Sequence, residues 1–205
     1  MAGVQCLGRL LVGGAAGGGP GRAAGAARAQ SRILWCAYGS GVMSRDAQRS
    51  AVYAAEQFVR TLFDRAAERG NRAVEFFGTQ LTLPPEARFG SVDAVRRYVD
   101  EVLAMPAVAA RWPAAGAVAV RARRGVTAAH YETGDGGAVI AVPERQSTWA
   151  LRELVVLHEL AHHLSAAVPP HGPAFTATFC ELADVVMGPE VGHVLRVVYA
   201  KEGVR

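Results

Sequence analysis

A short run in the C-terminal half of the chain combines two histidines with a glutamate, residue types that bind metal ions and transfer protons. In His158-Glu159-Leu160-Ala161-His162 the histidines are four residues apart, so on a helix they project from one face. Both can then bind one tetrahedral ion at about 2.0 to 2.1 Å. Glu159 lies roughly 100° around the helix from His158, where its carboxylate can contact a water at the ion. This H-E-x-x-H spacing is that of zinc hydrolases, and it predicts His158 and His162 as ligands and Glu159 as the catalytic base.

The competing interpretation places both histidines in the hydrophobic core, because they continue the apolar stripe Leu151, Leu154 and Val155. Without an ion, burying two imidazoles and a carboxyl group leaves several polar groups to satisfy, at about 1 to 3 kcal/mol each when unpaired. A metal ion would satisfy both imidazoles at once. We therefore favour the metal site.

A catalytic zinc ion needs a third protein ligand and one open position for water. His171, nine residues beyond His162 and just after Pro169-Pro170, can fold back over the ion and is the favoured ligand. The metzincin spacing would require a ligand at Val168, which excludes that class. A carboxylate on the following helix is the rival, and Glu181 or Asp184 could supply it.

Other polar residues are weaker candidates for a role in catalysis or metal binding. His163 follows a ligand at the wrong angle to share the ion, so a supporting contact is the better interpretation. His130 and Tyr131 could donate to a transition state, but strand alternation places only one of them on each sheet face. The remaining weak candidates are on the predicted last helix (His193, Arg196, Tyr199), and three aromatic residues are better explained as core (Trp149, Phe175, Phe179).

Helices that could position these residues are indicated by apolar positions recurring every three or four residues. The first runs from Asp46 to Arg69 and ends at Gly70-Asn71. Ser91 caps a second that ends at Pro106. The later helices are predicted from Ser147 or Thr148 to about Ala166, from Pro173 to Met187, and from Pro189 onwards.

Strands are indicated between the helices. Ala73 to Phe77 reads as a short strand followed by an extended connection from Leu81 to Leu83. Three β-prone runs follow, at Ala117 to Ala122, Val126 to Glu132 and Ala138 to Val142, and the Thr133 to Gly137 segment predicts a hairpin between the last two. The prediction is an α+β domain with a small antiparallel or mixed sheet against the H-E-x-x-H helix and further helices.

Composition separates residues 1 to 42 from 43 to 205. The first segment is rich in Gly, Ala and Arg and lacks acids, so we expect it to be disordered. It is interpreted as a misassigned start preceding Met43, with a secretory signal or a transit peptide as alternatives. All 18 acidic residues lie after it, with all but four of the 22 basic residues, so the predicted domain is neutral by count. The net charge of +4 therefore gives little support for nucleic-acid binding, and no stretch is typical of a membrane span.

Three cysteines offer neither a disulfide framework nor a thiolate metal site. Cys6 and Cys36 lie in the leader, and Cys180 falls in a predicted apolar helix where it acts as a small buried hydrophobe. This usage fits a reducing cytoplasm.

The sequence also resembles an actinobacterial family of predicted metallohydrolases. The resemblance runs over about Ser44 to Val198 and is carried by five segments, which are Arg45 to Arg49, Val52 to Glu56, Leu81 to Glu86, Tyr98 to Asp100, and Leu157 to Leu164 with His171-Gly172. The stretch from His158 to Phe175 is similar to the SprT-like minimal zincins, in which a His-Gly pair beyond the helix supplies the third zinc ligand. That resemblance implies His171 as the ligand and a zincin-like fold, and it implies no known substrate.

The predicted function is a Zn²⁺-dependent hydrolase acting on an amide bond of a peptide or protein substrate. The ion, held by His158, His162 and His171, lowers the pKa of a water, and Glu159 takes the proton. If the Ala138 to Val142 strand is an edge above the metal, a peptide could pair with it, which favours a peptidase. The alternative from another class is a regulatory or binding protein that keeps a zincin-like metal site without catalysis.

Overall fold

The computed structural model describes residues 46–124, 128–143 and 151–205. These residues form six helices and five strands, in agreement with the predicted α+β class. The helices are α1 (Arg49–Glu68), α2 (Val92–Ala104), α3 (Pro106–Arg111), α4 (Glu153–Ser165), α5 (Pro173–Met187) and α6 (Pro189–Lys201). The strands are β1 (Ala73–Phe76), β2 (Thr79–Thr82), β3 (Val118–Arg123), β4 (His130–Gly134) and β5 (Gly137–Pro143).

Helix α1 forms where its apolar periodicity predicts it. Its buried stripe includes Val52, Ala55, Val59 and Phe63, while the opposite face carries charges in water. The helix ends at Glu68, and the chain turns away at Gly70, whose φ of +60° is accessible to glycine without strain.

The segment after α1 differs from its prediction. Residues 79 to 82 are not an extended connection but strand β2, which pairs antiparallel with β1 through a two-residue turn. Phe77 and Gly78 both have positive φ, as the hairpin turn that suits twisted strands requires. The turn was missed because only its second position is a glycine.

The three-stranded sheet is mixed, with the order β3-β5-β4. The predicted hairpin between β4 and β5 is confirmed, and its register pairs His130 with Ala141 and Gly134 with Gly137. Strand β3 pairs parallel to β5, with Val118 opposite Ala138. The prediction that Ala138 to Val142 could be an edge strand is therefore wrong, because β5 is the central strand and pairs with β3 on one side and β4 on the other.

Helices α2 and α3 lie between the two sheets in sequence. The Ser91 side chain accepts a hydrogen bond from the Ala94 backbone N–H, which confirms the predicted cap. Pro106 ends α2 as expected, but it also begins α3, since proline suits the first turn of a helix.

The last three helices carry nearly half of the buried hydrophobic residues of the described part of the chain. Helix α4 begins at Glu153, later than the predicted start at Ser147 or Thr148, and it contacts β4, β5 and α5. Helix α5 begins at Pro173 as predicted and packs on α6, and α6 packs on α1. Buried residues of α1 and α4 therefore belong to one hydrophobic core.

Several sequence predictions lie outside the described residues. They concern the leader at 1–42, the start of the strand predicted from Val126, the cap at Ser147 or Thr148, and Trp149. Within the described ranges, no helix has both the length and the apolarity to cross a membrane.

Candidate metal centre

Three histidines converge where α4 meets the loop before α5. His158 and His162 lie one turn apart on α4, and His171 lies in the loop between α4 and α5. One ring nitrogen from each lies within 4.8 Å of the other two. The structure thus brings together the three residues predicted as ligands, and this group could hold a metal ion.

The facing nitrogen atoms fit a small tetrahedral ion. The Nε2 atoms of His158 and His162 are 3.1 Å apart, close to the roughly 3.3 Å between two ligand nitrogens at about 2.05 Å from a tetrahedral centre. The Nε2 atom of His171 is buried and has no hydrogen-bond partner among the described residues. A buried nitrogen lone pair is costly when it is left unsatisfied, and a cation between the three rings would satisfy it.

Carboxylates fix the orientation of two of the rings. The Nδ1–H of His158 donates to Glu56 Oε1 at 2.8 Å, and the Nδ1–H of His171 donates to Asp46 Oδ2 at 2.7 Å. The proton positions are assigned from these hydrogen bonds. Each bond leaves Nε2 as the unprotonated atom, so both rings present their lone pairs to the shared space.

Glu56 is itself held in place by two further residues. Its Oε1 also accepts a hydrogen bond from the Tyr199 hydroxyl at 2.8 Å, and its Oε2 lies 3.6 Å from a guanidinium nitrogen of Arg60. The carboxylate is only 4% exposed. Helices α1 and α6 therefore both contribute to the position of His158.

The histidines differ in their pKa values. Burial, together with the neighbouring His158 and His171, lowers the pKa of His162 to about 2. Burial also lowers the pKa of His171, against the opposing effect of Asp46. For His158 burial acts in the same direction, but the charge and hydrogen bond of Glu56 outweigh it and the pKa is raised. His162 and His171 are thus held in the neutral form that binds metals.

Glu159 lies beside the ligands without belonging to their group. Its side chain is buried, and burial raises the pKa of its carboxyl group, partly offset by His158 and by a backbone hydrogen bond from Tyr131. It lines a cleft of about 730 Å³ together with His162 and His171. The cleft also receives Tyr131 from β4, so its wall is built from α1, the sheet and α4.

A second cavity of about 330 Å³ adjoins the first. It shares five lining residues with the cleft (Arg49, Tyr53, Ala128, Ala129 and Glu159). Glu56 and His158 line only the smaller cavity. Glu159 therefore faces both spaces.

The rival third ligands lie elsewhere. Glu181 forms an ion pair with Arg111, and Asp184 binds Arg196 at 2.6 Å. Neither belongs to the histidine group. Both carboxylates instead pair with exposed arginines of other helices, Arg111 of α3 and Arg196 of α6.

The other candidate residues occupy supporting or remote positions. The Nε2–H of His163 donates to the Gly116 carbonyl at 2.8 Å, and its Nδ1 accepts from the Tyr131 hydroxyl, so His163 fixes Tyr131 next to the site. His130 lines the cleft, where its Nδ1 accepts from Arg123 at 2.7 Å. His193 is exposed and contacts the ring of Phe76.

The aromatic residues on α5 belong to the core, as predicted, and they also contact the histidine rings. Phe175 and Phe179 are fully or almost fully buried, as expected for core residues. The ring of Phe175 also stacks on His162, with 4.2 Å between centroids, and the ring of Phe179 contacts His158. They form the apolar floor beneath the ligands.

Asp46, Tyr53 and Glu56 were not predicted as site residues. The Tyr53 ring stacks on His158 at 5.7 Å and meets His171 edge-on at 5.1 Å. All three lie on or just before α1, more than one hundred positions from the histidines they contact. No local sequence pattern marks these three residues as part of a site. The one sequence feature that includes them is the set of segments on which the family resemblance was based.

No family model, no curated protein and no solved structure matches this chain. The resemblance to actinobacterial metallohydrolases and SprT-like zincins therefore stays a prediction.

Proposed function

We propose that the protein is a zinc-dependent hydrolase, and specifically a metallopeptidase with a zincin-like arrangement of sheet and active-site helix. The observation that carries the proposal is the convergence of three imidazole nitrogens next to a buried glutamate. Within the described ranges no fourth side chain joins the three histidines, which leaves a coordination position open. Three protein ligands with an open fourth position are typical of catalytic zinc, whereas structural zinc sites are closed.

Zinc is the metal that this donor set favours. Three imidazole ligands suit Zn²⁺ better than the hard cations Mg²⁺ and Ca²⁺, which prefer oxygen ligands. When bound, the ion supplies the Lewis acidity that acidifies a water molecule and polarises a scissile carbonyl.

In the proposed reaction Glu159 moves the proton. Its carboxylate accepts a proton from the attacking water, and the resulting carboxyl group donates it to the leaving nitrogen as the amide bond breaks. Glu159 lies between His158 and His162 on α4, so binding of the ion by these two histidines would keep its carboxylate next to the reaction. Glu56 and Asp46 hold the ligand rings in the required orientation through their Nδ1 atoms.

A peptide substrate is supported by the exposed edge of the sheet. Among the described strands β3 and β4 are the two edges of this sheet, since β5 pairs with both, and β4 is the edge strand that contacts α4, the helix that carries Glu159. Tyr131 of β4 lines the cleft with Glu159 and His162. An extended peptide added to β4 would therefore run along the cleft.

The cytoplasm is the proposed location, since Cys180 is a buried free thiol and the described domain uses no disulfide.

Glu159→Gln tests the proposal against a non-catalytic metal-binding protein. We expect the variant to keep one zinc per chain and to lose hydrolysis of a fluorogenic peptide library by about 10²- to 10⁴-fold, the usual contribution of a general base. Glu181→Gln, which changes an exposed carboxylate outside the site, serves as the matched control. Equal hydrolysis by wild type and Glu159→Gln, or no hydrolysis by zinc-loaded wild type, would reject the enzyme in favour of the binding protein.

A further inference from the structure

Arg49 lies where the cleft and the smaller cavity meet. It is exposed, stands in the first turn of α1 and lines both spaces. Its guanidinium lies 5.4 Å from the centroid of the Tyr53 ring, which in turn contacts two of the metal-binding histidines. The chain thus places a fixed positive charge next to the proposed reaction site.

The other arginine of the smaller cavity is already matched by a carboxylate. Arg60 lies 3.6 Å from Glu56 Oε2 and donates to the Gln57 side chain at 3.1 Å. Arg49 has no such ion pair with any acidic residue in the parts of the chain that the structure describes. A cation in the first turn of a helix is also disfavoured by the helix dipole, and the contact of Arg49 with the Tyr53 ring brings no negative charge to it.

The charge of the cleft favours an anion. Two arginines, Arg49 and Arg123, and two carboxylates, Asp46 and Glu159, line it. These charges balance, so the charge of a bound divalent cation would be uncompensated. A cleft that has low-dielectric walls and carries charge of one sign raises the local concentration of ligands with the opposite charge.

We infer that the substrate carries a carboxylate that Arg49 binds, and that the smaller cavity accommodates the substrate residue bearing it. This inference rests on the proposed function. Arginine suits the role because its planar guanidinium forms two parallel hydrogen bonds to a carboxylate. The walls provided by Ala128, Ala129 and Val155 would contact the apolar part of that residue.

The test uses binding, so that it does not depend on catalysis. The probes are monohydroxamates of succinic, glutaric and adipic acid, whose hydroxamate group binds the zinc ion and whose free carboxylate extends from it. Each is paired with its neutral methylamide. Dissociation constants are measured by calorimetry on the zinc-loaded full chain, as wild type, Arg49→Gln and Arg65→Gln. Arg65 is an exposed arginine near the other end of α1 and gives the matched control.

For the probe length that gives the largest difference, we expect the carboxylate probe to bind the wild type about tenfold more tightly than its neutral methylamide, the difference expected for one charge-assisted hydrogen bond. Arg49→Gln should reduce that preference to less than about twofold without changing the neutral probe, and Arg65→Gln should keep it. No preference in wild type, or an unchanged preference in Arg49→Gln, overturns the inference. Because hydroxamate binding requires zinc but no turnover, this result is independent of whether peptides are cleaved.

A second set of probes separates the two sources of the carboxylate. Binding of acetyl-Ala-Ala-Ala as the free acid or the amide tests a C-terminal carboxylate. Acetyl-Ala-Glu-Ala-amide against its Gln counterpart tests an acidic side chain. Both pairs are measured on zinc-loaded Glu159→Gln, which is not expected to cleave them. A preference within either pair that Arg49→Gln removes supports the inference and identifies the source, and no preference in either pair overturns it.

Discussion

Replacing Glu56 by Gln tests whether the buried carboxylate sets the affinity of the metal centre. The amide has almost the shape of the carboxylate, so it fills the same space between α1, α4 and α6. Its single carbonyl oxygen can still accept from His158 Nδ1 and Tyr199, which lie 2.8 Å from Oε1 in the wild type. The variant therefore removes the charge while keeping the packing and the acceptor.

The expected magnitude follows from the hydrogen bond that changes. A hydrogen bond to a charged group contributes about 1.5 to 3 kcal/mol, and a neutral one about 0.5 to 1.5 kcal/mol. The midpoints of these ranges differ by about 1.3 kcal/mol, which corresponds to nearly tenfold weaker zinc binding. Carboxylates that support metal-binding histidines usually contribute 10- to 100-fold, so the expected loss lies at the lower end of that range.

Zinc affinity is measured by competition with a chromophoric chelator of known dissociation constant. Glu68→Gln, an exposed position on the same helix, is the matched control and should bind zinc as wild type does. Tyr199→Phe removes one donor to Glu56 but leaves its charge, so it should weaken binding less than Glu56→Gln. Urea denaturation of the metal-free proteins separates a loss of affinity from a loss of folding. Zinc binding by Glu56→Gln within twofold of wild type would refute the expected contribution of the carboxylate charge to the affinity, since this variant keeps the acceptor that orients His158.

Three further outcomes are expected. His171→Ala should reduce zinc, measured by mass spectrometry of the metal, well below one per chain while Glu181→Ala keeps it, and loss only in the second variant would contradict the ligand set. Gly192→Ala should lower the free energy of unfolding by about 1 to 3 kcal/mol in urea, because its Cβ would lie 2.8 Å from the Cys180 carbonyl oxygen. Gly136→Ala, which meets open space, is its control, and a stabilised Gly192→Ala would contradict the close packing. Burial raises the pKa of Cys180 to about 12, so iodoacetamide at pH 8 should label this thiol only after denaturation, as peptide mass spectrometry would show.

The helices were predictable because their signals are local. The apolar stripe of α1, the Ser91 cap and the prolines that begin α5 and α6 all act within a few residues of the element they define. The parallel pairing of β3 with β5 was not predictable, because it joins strands separated by a hairpin and depends on how the sheet packs against α2 and α4. The sequence of β5 is equally compatible with an edge or a central position, and only its neighbours decide between them.

The site was predicted in part for the same reason. His158 and His162 are linked by helical spacing, and His171 by its position after the prolines, so the ligand cluster follows from short-range features. The partners of their Nδ1 atoms come from the distant α1, and no spacing rule connects Glu56 to His158 across about one hundred residues. Sequence reasoning therefore found the three histidines of the cluster and missed the residues that orient their rings.

Helix α1, with Asp46 just before it, supports the histidine cluster from a distant part of the chain. Asp46 and Glu56 each bind the Nδ1 of a different metal-binding histidine, and Tyr53 lies between them with its ring against both. The three residues contact rings from α4 and from the loop before α5, so α1 joins two parts of the site that the chain itself does not hold together. Three histidines around one ion would need this support as much as the H-E-x-x-H helix, because an imidazole free to rotate binds metal weakly. Exchanging the acids at 46 and 56 for alanine should thus abolish the centre even though neither residue faces the ion.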